Sequence, residues 1–223
     1  MSNPPIKAVI FDKDGTLHDT EKVFHKAWRL AAEKLHIPDI EQTVRDCTGV
    51  NLPDTAVYWG EKYPDIPFDV FLASRQQYFN EIVRDGVPVK AGAVELLTYL
   101  TNHGYRVGMA TSTPFDTVME HLDRTNMTRF FAPEAIVTGD MVTRGKPHPE
   151  IFLKAAARLE VDPALCIGVE DSLNGIRSVH AAGMRAVMVP DLTPPTAEVE
   201  GMIWRVCGEL LELIPILEGK TQN

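Results

Sequence analysis

Cysteine is scarce in this 223-residue chain: only Cys47, Cys166 and Cys207 occur. The number is odd, the spacing is wide and no CxxC pair exists. This excludes a disulfide framework and a structural zinc site, and it fits a reducing compartment. Positive charge is also short. Lys and Arg total 22 against 31 Asp and Glu, a formal net charge of −9. Nucleic-acid binders carry a basic domain or stripe, and docking on an anionic membrane needs clustered cations; this chain has neither. No apolar run reaches the roughly 20 residues that span a bilayer. Residues 1–7 lack the apolar core of a signal peptide, and there is no repeat or low-complexity tract. The expectation is a monomeric cytoplasmic protein without nucleic-acid or membrane partners. A small anionic substrate stays open, because a few local cations and a metal reverse the field inside one pocket.

What is present is ordinary in bulk, 44% apolar and 24% charged residues, enough for a core domain carrying a smaller insert. The run Ala8-Val9-Ile10-Phe11 ends in Asp12-Lys13-Asp14-Gly15-Thr16, which reads as a buried strand closed by a turn. The texture then changes. Phe24, Ala27, Trp28, Ala31 and Leu35 recur at helical spacing, and Phe71, Tyr78 and Ile82 repeat the pattern. Residues 18–86 hold no convincing strand and predict a small helical unit. From residue 87 the pattern alternates. Strands are predicted at 105–110, 135–138, 165–169 and 185–189, with helices at 94–100, 115–124, 149–159, 174–182 and 208–217. Pro215 must end or kink the last of these, and 190–200 reads as loop. Repeated strand-helix units predict an α/β fold: a doubly wound, Rossmann-like parallel sheet formed by 1–17 and 87–223, interrupted by the helical insert.

Ligands of open parallel sheets bind beyond the carboxyl ends of the strands. Four segments put polar residues there: Asp12 and Asp14, Thr111 and Ser112, the loop carrying Lys146, and Glu170 and Asp171. Each alone has a plain reading, since an Asp after a strand is often a helix cap and Lys146 lies in a polar turn. All four on one edge point to phosphoryl transfer. Asp12 and Asp14 are two residues apart and share a side of the strand end. One carboxylate attacks phosphorus to give an aspartyl-phosphate; the other protonates the leaving oxygen and later takes a proton from water. Packed carboxylates call for a hard cation. Mg2+ suits Asp12, Asp171 and a backbone carbonyl from Asp14, with Glu170 supporting them from behind. Lys146, the Thr111 hydroxyl and N–H groups near Ser112 are placed to bind phosphate oxygens.

These segments resemble the motifs of the haloacid dehalogenase-like hydrolase superfamily. Asp12-Lys13-Asp14-Gly15-Thr16 is similar to its first motif, Gly108-Met109-Ala110-Thr111-Ser112 to its second, Gly145-Lys146-Pro147-His148-Pro149 to its third, and Val169-Glu170-Asp171-Ser172 to its fourth. The resemblance implies that residues 18–86 form the family's helical cap, whose closure excludes water during transfer. It points to the β-phosphoglucomutase-like and sugar-phosphate phosphatase branch. Dehalogenases and phosphonoacetaldehyde hydrolases of the family lack the second motif-one acid, which is present here as Asp14. The mutases carry a cap His, whose position falls on Phe24 with His25 one residue off, and a cap Arg, whose position falls on Leu52. Without that Arg a bisphosphate is poorly held. The resemblance therefore implies a Mg2+-dependent phosphatase acting on a small phosphorylated metabolite. A phosphomutase and a non-catalytic binding protein are the alternatives.

Other residues yield less. His18 follows motif one and is a candidate for reaching substrate. His121 and His180 read as surface or packing residues, and Gly49-Val50-Asn51 as a possible specificity loop. Lys13 is unusual, because relatives carry an apolar or aromatic residue there; strand alternation predicts that it points away from the two acids.

Overall fold

The computed structural model describes residues 5–47, 52–84, 86–191 and 193–220. The segment Gly49-Val50-Asn51 lies outside them. Two units are resolved: Met1–Asp19 with Pro88–Asn223, and Thr20–Val87.

The first unit is a parallel sheet. Its strands are β1 (Ala8–Phe11), β2 (Arg106–Thr111), β3 (Ile136–Thr138), β4 (Cys166–Glu170), β5 (Arg185–Met188) and β6 (Ile203–Val206). The six are ordered β3-β2-β1-β4-β5-β6, so the order reverses beside β1. Ala8 pairs in register with Arg106 on one side and Cys166 on the other. All four residues of β1 are buried. Alternation divides them: Val9 and Phe11 enter one apolar layer, Ala8 and Ile10 the other,. The first layer is covered by α5 (Ala93–Asn102), α6 (Phe115–Arg124) and α10 (Leu213–Leu217), through Leu96, Leu100, Leu122 and Leu213. The second is covered by α7 (Glu150–Arg158) and α8 (Leu173–Ala181), through Phe152, Ala155, Ile176 and Val179. Helices on both faces make the sheet doubly wound, as the strand-helix alternation predicts.

The C-terminal part departs from expectation. The segment read as loop includes a short helix, α9 (Ala197–Glu200), and is followed by the unpredicted edge strand β6. The terminal helix is not continuous. A 3-10 turn, Leu210–Glu212, precedes α10. Pro215 then falls in the first turn of α10, where its missing N–H costs no helical bond. The three cysteines are free and buried. Among the described residues no helix is long and apolar enough to cross a membrane.

The second unit comprises α1 (Thr20–Lys34), α2 (Ile40–Cys47), α3 (Leu52–Lys62) and α4 (Phe68–Val83). Its own core gathers Trp28, Ala31, Val44, Trp59, Tyr63 and Phe71. Phe71 is fully buried and stacks on Trp59, with ring centroids 4.1 Å apart. The Trp59 indole N–H donates to the Ile66 carbonyl at 2.8 Å, which satisfies its polar edge,.

The chain leaves the sheet at Asp12–Asp19 and returns at Pro88. Asp19 N–H donates to the Pro88 carbonyl at 2.8 Å and Lys90 N–H to the Leu17 carbonyl at 2.9 Å. His18 is fully buried at this crossing, its Nε2 3.4 Å from Thr125 Oγ1. Its ring centroid lies 6.2 Å from that of buried His121. His18 therefore faces inward and not toward a substrate. Burial first, then the nearby Lys13 ammonium, pushes its pKa down to about 3. The same two causes lower His121.

Two outcomes follow for stability. Phe71→Ala removes the stacked ring of the helical unit and is expected to cost about 3–5 kcal/mol, read as an earlier urea transition in tryptophan fluorescence. His18 binds its proton near pH 6.5 in the unfolded chain but only near 3 when folded. The unfolded state thus holds more protons between these values, and stability is lost as pH falls below about 6.5. Unfolding free energies from urea titrations at pH 7.5 and pH 5 should differ by roughly 1.4 kcal/mol per pH unit below 6.5, and His18→Gln should shrink the difference. An unchanged pH slope in that variant would refute the neutral buried histidine.

Candidate active site

The site forms where the strand order reverses, at the carboxyl ends of β1 and β4. Asp12 is the first residue beyond β1, and its N–H still donates to the Val169 carbonyl of β4 at 2.9 Å. Its side chain is therefore held at the sheet edge. Lys146 arrives in the loop after β3 and is not a solvated lysine. Its Nζ donates to Asp12 Oδ1 at 2.5 Å, to Glu170 Oε1 at 2.5 Å and to the Ala110 carbonyl at 2.9 Å. All three ammonium donors are used, and the group lies 5.1 Å from the Phe152 ring centroid. Burial opposes the Lys146 charge, but Asp12 and Glu170 outweigh it and hold the ammonium protonated above its usual range. Burial also pushes the Asp12 carboxyl up, to about 7; Lys146 opposes this, while Glu170 and Asp14 add repulsion.

Glu170 is almost fully buried, with Oε2 accepting from the Ser172 hydroxyl at 2.9 Å. Asp171 accepts from the Thr16 hydroxyl at 3.3 Å. One carboxylate oxygen from each of Asp12, Glu170 and Asp171 falls within 4.8 Å of the others. The three side chains offer only hard oxygen donors, with no His or Cys among them. That donor set fits a hard divalent cation and not a soft one. Two glycines let the acids approach. Gly15 has φ +82°, and a Cβ on it would collide with the Asp171 carboxylate; a Cβ on Gly175 would collide with that of Glu170,.

Asp14 has a different environment. Its Oδ1 accepts from Lys13 Nζ at 2.7 Å and its Oδ2 from the Thr113 hydroxyl at 2.5 Å. Burial would raise the carboxyl, but the Lys13 charge and the two hydrogen bonds offset this and hold it below the usual range. The expected outward orientation of Lys13 is thus incorrect, and the physical reason is local. The strand ends at Phe11, and the Lys13 carbonyl accepts from both Leu17 N–H and His18 N–H at 2.9 Å. The backbone is curling by Lys13, so strand alternation no longer applies. Thr111 is buried and its hydroxyl accepts from Thr113 N–H at 3.2 Å, while Ser112 is exposed beside it. Thr113 closes the run Thr111-Ser112-Thr113 beyond the predicted strand, but nothing in the sequence marks it as the partner of Asp14. The arrangement supplies two carboxylates of contrasting surroundings, a buried cation and an acidic cluster that could hold a metal ion within one edge. Those are the parts phosphoryl transfer uses.

Comparison with known proteins agrees. The family model for haloacid dehalogenase-like hydrolase matches residues 6–183. A phosphorylated carbohydrates phosphatase of Thermotoga maritima is 31% identical over 188 residues, covering 82% of this chain and 84% of that protein. A beta-phosphoglucomutase of Bacillus subtilis is 31% identical over 192 residues, covering 82% and 83%. The crystal structure of a HAD family hydrolase from Deinococcus radiodurans R1, with bound phosphate and sodium, superposes with a TM-score of 0.82 at 27% identity, over 97% of this chain and 96% of that one. A family match over most of the chain, and a shared fold around a carboxylate-rich strand edge, place this protein among the haloacid dehalogenase-like hydrolases, as a phosphoric monoester hydrolase.

Proposed function

We propose that this hydrolase is a Mg2+-dependent phosphatase of small, sugar-phosphate-like monoesters, working through an aspartyl-phosphate. The observation that carries the reading is the contrast between the two acids at one strand end. Asp12 lies among Lys146 and the acidic cluster, while Asp14 is held apart by Lys13 and Thr113. Contrasting surroundings are how paired carboxylates come to take different roles.

Asp12 and Asp171, with the Asp14 backbone carbonyl, would hold Mg2+, and Glu170 would support them through Lys146 and Ser172. Bound there, the cation supplies charge neutralisation to the phosphoryl oxygens. Asp12 attacks phosphorus with a carboxylate oxygen as the bond from phosphorus to the ester oxygen breaks. Asp14 gives its proton to that departing oxygen, so an alcohol leaves and an aspartyl-phosphate stays. Asp14, now a carboxylate, takes a proton from water; the water oxygen attacks phosphorus, and Asp12 is released with inorganic phosphate. Asp14 rests as a carboxylate, and a phosphate anion arriving beside it raises its affinity for the proton it must donate. The Thr111 hydroxyl and N–H groups near Ser112 bind the phosphoryl oxygens, while Lys146, whose three donors are taken by Asp12, Glu170 and the Ala110 carbonyl, offsets the phosphate charge. The name of the Thermotoga relative supports the sugar-phosphate class. The Bacillus relative, equally similar, supports a phosphomutase as a second reading.

The test is release of inorganic phosphate from sugar phosphates, nucleotides and p-nitrophenyl phosphate, with Mg2+ or with chelator. Release should need Mg2+ and be greatest for sugar phosphates. Asp12→Asn should lower turnover at least about 1,000-fold with circular dichroism unchanged. Substantial turnover in that variant would remove Asp12 as nucleophile, and full activity in chelator would remove the metal. Isomerisation of a sugar phosphate that depends on added sugar bisphosphate would establish the mutase instead.

A further inference from the structure

The floor beneath Asp14 holds a polar group that the hydrolytic scheme leaves unused. Lys13 is fully buried, although its residue neighbours on the chain border the site. A lysine taken out of water costs several kcal/mol unless it is paired, so its partner carries information. The only side chain that receives a hydrogen bond from Lys13 among the described residues is Asp14, at 2.7 Å. Around it stand His18 and His121, both buried, and each with an Nδ1 that finds no hydrogen-bond partner among the described residues. Both rings are kept neutral by burial and by Lys13 itself. The Lys13 ammonium is thus the charged donor of this pocket, and it is directed at one acceptor.

The geometry of that acceptor is restrictive. Lys13 takes Oδ1 of Asp14 from below, and Thr113, two residues past β2, takes Oδ2 at 2.5 Å. A carboxylate offers two oxygens with about four lone-pair directions. With one direction on each oxygen occupied by donors fixed to different strand ends, the carboxylate plane is set. The Asp14 side chain remains 31% exposed, against none of Lys13. Part of the Asp14 carboxyl is therefore reachable from outside while Lys13 is not. A flexible carboxylate would have to find that orientation anew in each encounter.

We propose that Lys13 is a positioning residue, which together with Thr113 locks the Asp14 carboxyl in the orientation that delivers a proton to the leaving group. The proposal rests on the reading of Asp14 as the proton donor. Lys13 touches no substrate and acts only through Asp14. A lysine kept only for packing would make no distinction among leaving groups. Positioning does, because a sugar alkoxide needs proton donation to leave whereas a p-nitrophenolate needs little.

The experiment compares kcat/KM for glucose 6-phosphate, or for a sugar phosphate the wild type hydrolyses faster, with kcat/KM for p-nitrophenyl phosphate. The variants are Lys13→Met, Lys13→Arg, Thr113→Val and Asp14→Asn. Lys13→Met should lose about 10- to 100-fold on the sugar phosphate and less than about threefold on the aryl phosphate. Thr113→Val should show the same selectivity more weakly; it leaves the buried lysine intact should Lys13→Met fail to fold. Lys13→Arg should recover part of the loss. Asp14→Asn is the reference and should be the most selective of all. Equal losses on both esters in Asp14→Asn would overturn the reading of Asp14. Selective loss in Asp14→Asn with equal or no loss in Lys13→Met and Thr113→Val would overturn the positioning role alone.

Discussion

A single buried ammonium holds the functional edge of this protein together. Lys146 is 8% exposed at its side chain and sits between Asp12 and Glu170, which are 9% and 1% exposed. Two carboxylates this deep repel each other and pay a desolvation cost. The cation between them makes their coexistence possible, and removing one member of such a buried set typically costs about 3–5 kcal/mol. The same ammonium donates to the Ala110 carbonyl. One side chain therefore ties the ends of β1, β2 and β4 to the loop following β3. The site and the sheet edge are the same construction.

A second lysine works on the other acid. Lys146 belongs to Asp12 and Lys13 to Asp14, so each acid has its own ammonium partner although only one residue lies between them. Asp12 is pushed up to about 7 by burial, and Asp14 is held below the carboxylate range by its ammonium partner and its two donors. Glycine supplies the remaining closeness, since Gly15 and Gly175 leave room where the carboxylates of Asp171 and Glu170 come against the backbone.

The sheet and its polar edge were legible because both depend on short-range pattern. Apolar runs closed by Asp, Thr or Glu mark β1, β2 and β4 without reference to anything distant. What escaped depends on context. Lys13 was misread because alternation is a property of extended backbone, and the chain has begun to turn there. The role of Thr113 was missed because a hydroxyl has no distinguishing spacing until its acceptor, Asp14, is brought to it from another strand end. The strand β6 was missed because its residues are only partly buried. Its Trp204 is flanked by the guanidinium groups of Arg185 and Arg205, at 5.3 and 5.0 Å from the ring. Such a segment shows neither the apolar run of a central strand nor clean alternation.

The place of β1 in the sheet has a consequence for how the chain comes into being. Ala8–Phe11 is made before the other five strands of the sheet, yet its two partners are Arg106–Met109 and Cys166–Val169. Between the first strand and either neighbour the whole helical unit must be synthesised, and that unit has an apolar core of its own. The insert can gather its tryptophans while the first strand still has nothing to pair with. The carboxylate-bearing edge, which needs β1, β2 and β4 together, is then among the last things to form, and its assembly waits on contacts of high sequence separation. Nascent chains stalled before residue 166 would carry an ordered insert and an aspartate-bearing strand end with no second wall.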